Sequence, residues 1–123
     1  MDMTWSQVAL AGAFLTMGTL HFAAPRPFDQ IMPRVIPRKF HRPLVYASGL
    51  CELAGGAGVL LPATRALAGV GLLCVLVAVF PANVQMLLDH RARKASKAAL
   101  AALWVRLPIQ AVLLAWVWSA TLR

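Results

Sequence analysis

Acidic residues are scarce in this chain: Asp and Glu together number 4 among 123 residues, against 12 Lys and Arg. Charged residues make up 13% of the chain, about half the share of soluble domains, and hydrophobic residues reach 60%, above the usual 45–50% or so. Cysteine is equally sparse. Cys51 and Cys74 lie in different apolar runs and form no C-x-x-C pair, so a thioredoxin-like or quinone-reducing dithiol is not indicated. No glycine loop of the phosphate-cradling type and no nucleophile elbow is present. No H-x-x-x-H or similar spacing joins His21, His41 and His90 to Glu52, so no metal site is expected. The net charge of +8 comes without a nucleic-acid recognition motif, so nucleic acid is not an expected partner.

What the chain does have is four long apolar runs: 5–22, 43–61, 66–88 and 100–121. Each has about 18 to 23 residues, and about 20 suffice to cross a hydrocarbon core of about 30 Å as a helix. Helices satisfy their own backbone groups in lipid. The expectation is a single all-α transmembrane domain over 1–123, a four-helix bundle. The first run does not read as a cleaved signal peptide, because the leading MDMTWSQ carries an acid and no base.

Charge orients the spans. The connection 23–42 carries Arg26, Arg34, Arg38, Lys39 and Arg42, and the connection 89–99 carries Arg91, Arg93, Lys94 and Lys97. The opposite side has Arg65 and Arg123. A basic excess of this kind marks the cytoplasmic face. Both basic connections are therefore expected in the cytoplasm, against anionic lipid, with both termini outside. Trp5, Trp116 and Trp118 near one set of span ends, and Tyr46 and Trp104 near the other, fit aromatic belts.

The first connection is the longest. Phe28, Ile31, Met32, Val35 and Ile36 recur at helical spacing, but Pro33 and Pro37 prevent one continuous helix. A broken amphipathic segment in the interface, covering the site, is expected. A short turn around Pro62 and Thr64 makes spans two and three an antiparallel pair. Ala47, Ser48, Gly49, Cys51, Ala54, Gly55, Gly56 and Gly58 crowd span two, a pattern that lets helix backbones approach, within one chain or in a homo-oligomer. Both cysteines are expected to be small apolar packing residues, and His41 and His90 solvated loop residues.

Glu52 lies in the middle of an apolar run, where a carboxylate costs roughly 2.5–3.5 kcal/mol on insertion scales. Such a residue faces protein and has a partner. His21, Asn83, Arg106 and Gln110 lie at similar depth, all in the basic half, and Arg106 is the expected partner because its fork matches a carboxylate. Pro81 and Pro108 stand beside Asn83 and Gln110, where a bent helix would shape a cavity wall.

At these residues the chain resembles the DoxX-like family of small four-helix membrane proteins. The segments that carry the resemblance are GTLHFAAPRPFDQIMPRVIP, YASGLCELAGGAGVLLPATR, VFPANVQM and RLPIQ. The resemblance implies the four-helix fold. It also implies an association with thiosulfate:quinone oxidoreduction, oxidative-stress complexes or receptor assembly, with no single reaction common to all. The chain has no redox dithiol or evident haem ligation to set beside it.

Three functions remain open. In the first, an accessory membrane protein binds a hydrophobic small molecule or a partner's transmembrane helix through His21, Glu52, Asn83, Arg106 and Gln110. In the second, a membrane enzyme acts on a quinone- or isoprenoid-like substrate, with Glu52 handling protons, Arg106 holding negative charge and His21 as acid or base. In the third, the cluster only fixes helix register. The residues leave cofactor identity open.

Overall fold

The structure is a computed structural model that describes residues 4–30, 32, 35–92 and 96–122. Ile31, Pro33, Arg34, Arg93, Lys94, Arg123 and the side chain of His90, all invoked above, lie outside the described residues. Four long helices account for most of the chain: α1 (Trp5–Ala23), α3 (His41–Val59), α4 (Arg65–Ala92) and α5 (Lys97–Thr121). A five-residue helix α2 (Arg26–Gln30) and a 3-10 turn (Arg38–Phe40) lie between α1 and α3, and no strand occurs among the described residues. Each apolar run thus becomes one helix, with ends shifted by no more than four residues. Of the four, α4 and α5 contain segments long and apolar enough to cross a membrane, Arg65–Asp89 and Leu100–Thr121, with mean hydropathy 2.3 and 1.8.

Local chemistry fixes the helix ends. Thr4 and Gln7 form a reciprocal capping box at the start of α1, each side chain satisfying the other's backbone N–H at 3.1 and 3.0 Å. The Gln7 amide also donates to the Ala120 carbonyl (2.9 Å), tying the start of α1 to the end of α5. Trp116 Nε1 adds a second tie to Ser6 Oγ at 2.9 Å. At the turn after α3, Thr64 Oγ1 donates to the Gly58 carbonyl and Arg65 Nε to the Val59 carbonyl, both at 2.8 Å. A cation there satisfies carbonyls left over at a helix C-terminus.

The helices follow one another around the bundle as α1, α3, α4, α5. At the end that holds the two ties, Leu10, Ala11, Phe14, Val59, Leu72, Leu76 and Val117 form an apolar core. At the opposite, basic end a smaller core of Met86, Leu87 and Leu103 joins α4 to α5. The α1–α3 contact is built on glycine. A Cβ on Gly18 would lie 2.8 Å from the Gly49 carbonyl oxygen, and one on Gly56 3.2 Å from the Ala11 carbonyl oxygen, so any side chain would push the backbones apart. Both prolines stay inside their helices and point outward. The cysteines correct the expectation of packing residues: both are free and exposed, on helix faces turned away from the core.

Candidate functional site

Between the two apolar cores, toward the basic end, a cavity of about 160 Å³ opens inside the bundle. Helical spacing brings its walls together, since residues four apart share a face. Met17 and His21 enter from α1, Ser48 and Glu52 from α3, Val79 and Asn83 from α4, and Arg106 from α5. Phe28 of α2 and Met32 just after it close the basic side. The broken segment between α1 and α3 therefore covers the cavity with two of its apolar side chains.

Glu52 is mostly buried, and its Oε2 accepts no hydrogen bond. The base nearest to it is His21, whose Nδ1 stands 3.5 Å from Oε2. That Nδ1 is also 2.6 Å from the Met17 carbonyl one turn earlier. A carbonyl can only accept, so Nδ1 carries a hydrogen and donates it there. Phe28 stacks on the imidazole with centroids 3.9 Å apart and planes at 19°. Gly49 makes room for His21: a Cβ there would lie 2.6 Å from the His21 Cβ.

The expected Glu52–Arg106 pair is not formed. Arg106 makes no ion pair or hydrogen bond among the described residues, and the contact within 4.0 Å of Glu52 is His21. The reason is the order of helices. Glu52 leaves α3, which packs between α1 and α4, whereas α5 lies diagonally across the cavity. The amides are committed differently. Asn83 Nδ2 donates to Gln110 Oε1 at 2.9 Å, and Gln110 Nε2 donates to the Leu76 carbonyl. Both amides are buried. Gln110 thus stands behind Asn83, locking α5 to α4, rather than on the cavity wall.

The cover is held from outside by an ion pair that spacing did not reveal. Arg42 donates from Nε to Asp29 Oδ2 at 2.8 Å, with Nη2 of the same fork 2.6 Å away. Its hydrogen bond to the Asp29 carboxylate holds the Arg42 guanidinium above its ordinary pKa. Arg42 also lies 5.8 Å from the Tyr46 ring centre, and Tyr46 stacks on Phe22 at 5.2 Å. Asp29 was a readable signal, being the lone acid in a basic connection. Phe28 was visible only as part of an apolar rhythm, and its stacking on His21 depends on where the connection folds back. His41 begins α3 half-buried, its Nε2 bonded to the Ile36 carbonyl at 2.8 Å, which corrects its placement as a solvated loop residue. Among the described residues no three His, Cys, Asp or Glu side chains cluster.

No curated protein and no solved structure matches the chain. The resemblance to DoxX-like proteins does not hold, because the family that matches is a different one. Among the residues that carried the resemblance, Gly18, Gly49 and Gly56 answer a general need of packed helices, small residues where backbones touch. The match runs over residues 10–121, nearly the whole helical bundle, and the chain belongs to the family described as Domain of unknown function (DUF8561).

Proposed function

We propose that this chain is a multi-pass membrane protein whose four helices cross the bilayer and whose cavity binds a small amphiphile. The burial of its apolar helices supports the membrane reading. Only 22% and 17% of the most apolar segments of α4 and α5 are buried inside the protein, whereas a core helix of a soluble domain would be mostly covered. Leu67, Val112 and Leu50 are 75%, 65% and 62% exposed. Lipid is the solvent that suits such faces. The basic connections 23–42 and 89–99 then lie in the cytoplasm against anionic lipid, with both termini outside.

One observation carries the binding reading: the cavity is lined by an acid and a guanidinium that do not neutralise one another. A cluster kept only for helix register would be expected to satisfy itself, as Asn83 and Gln110 do. The test is capture of small amphiphiles by the purified protein in detergent, read on the wild type and on Glu52→Leu. Loss of capture by a folded, inserted Glu52→Leu protein is expected. Equal capture by both would remove Glu52 from the site. Membrane insertion and orientation are read by labelling single cysteines placed at Ser96 and Thr64, and reagent reaching Ser96 from outside would overturn the orientation.

The adjacency of His21 and Glu52 at 3.5 Å favours a second reading, an enzyme that moves a proton on a lipid-soluble substrate. Turnover abolished by Glu52→Gln while binding persists would select it over simple capture.

A further inference from the structure

The charge pattern of the cavity narrows what it can hold, given the binding reading above. One wall presents Glu52, with a buried carboxylate oxygen that accepts no hydrogen bond. Another presents Arg106, a donor group with no partner among the described residues. The two are not within 4.0 Å of each other, so neither satisfies the other, and both face the same cavity. A carboxyl and a guanidinium, groups of opposite formal charge, thus face one another across the cavity, with the His21 imidazole beside the carboxyl. A ligand with its own net charge would pair with one wall and oppose the other, and a zwitterion would bring two further charges out of water. A neutral hydroxyl meets both walls at once, since it donates one hydrogen and accepts on its lone pairs.

Size and lining set the rest. About 160 Å³ is close to the roughly 150 Å³ that suffices for benzene in an apolar protein cavity, so a single ring matches it in size. The remaining wall is apolar, with Met17, Val45, Val79 and Met86 among its residues, and methionine adapts to flat ligands. Phe28 already occupies the face of His21. We infer that the cavity takes an uncharged single-ring amphiphile of the phenol class, its hydroxyl donating to Glu52 and accepting from Arg106.

The experiment compares four rings of similar size against the full chain in detergent: 4-methylphenol, toluene, benzoate and benzylammonium. Ligand-observed NMR is read against protein-free micelles of the same detergent. 4-Methylphenol should bind at least about tenfold more tightly than the other three, the discrimination of roughly one hydrogen bond to a charged group. Glu52→Gln leaves Arg106 as the sole full charge and should move the preference to benzoate. Arg106→Met leaves Glu52 and should move it to benzylammonium. These opposite shifts separate a change of site chemistry from simple loss of fold, which circular dichroism reads in parallel. A charged ring binding best to the wild type, or a preference unmoved by either substitution, would overturn the phenol class while leaving a binding cavity. Failure of all four rings to bind the wild type would overturn the cavity reading itself.

Discussion

The two ends of the bundle solve the same packing problem in opposite ways. At the terminal end, Leu10, Phe14, Val59, Leu72 and Val117 fill the space between helices, and Gln7 and Trp116 fasten α1 to α5. At the basic end, α4 and α5 share a small core, while α1, α3 and the α2 cover leave a cavity with an acid, a base and a guanidinium on its walls. A packed interior contributes dispersion contacts and rigidity. A cavity forgoes them, and polar groups placed there cost more than apolar ones. Under the proposed binding function, the packed end contributes stability and the cavity end recognition.

That division can be broken experimentally. The largest effect is expected in the terminal core, where Leu72→Ala should destabilise by about 2 kcal/mol or more, at the low end for such a change if, as proposed, lipid surrounds the bundle and the loss of packing is the main term. Unfolding in mixed micelles measures it, and ring binding in the refolded protein should be unaffected. Gly49→Ala comes next, because its Cβ would press on His21 and on the Gly18 carbonyl, separating α1 from α3 at a cost of about 1–3 kcal/mol. It should also reduce capture by displacing His21, and a stability loss without any change in capture would count against the position of His21 at the site.

Smaller still is the amide tie. A double-mutant cycle on Asn83 and Gln110 should give a coupling of about 0.6 kcal/mol, the average for interhelical hydrogen bonds in one membrane protein, whereas the cycle on Glu52 and Arg106 should give almost none in the absence of ligand. Strong Glu52–Arg106 coupling would restore the ion pair that the helix order forbids. The least effect is expected from Asp29→Asn, since Arg42 stands in solvent and exposed ion pairs contribute little. It should leave global stability nearly intact while hydrogen exchange speeds up at 26–30. Unchanged exchange there would show that the Phe28–His21 stack holds the cover without the ion pair.

Much of the fold was legible because apolar runs of this length have few alternatives. Residues 66–88 can satisfy their backbone in an apolar medium only as a helix, and α4 extends that run by a few residues at each end. Depth was legible for the same reason: a fixed rise per residue places His21, Glu52, Asn83 and Arg106 at one level, and the cavity lies at that level. The rotation of each helix was not legible. Gln110 shares its depth with the others but turns to Asn83 and Leu76, and Arg106 faces the cavity without meeting Glu52.

The sequence alone determined helices, their lengths and the level at which polar groups collect, because these depend on local hydrogen bonding and on position along a regular rod. Tertiary structure alone decided which groups touch. The near contact of His21 with Glu52, Phe28 on the imidazole and Asp29 on Arg42 all depend on helix order and on the close approach allowed at Gly18, Gly49 and Gly56. Those contacts sum over several helices at once, and no single stretch of chain encodes them.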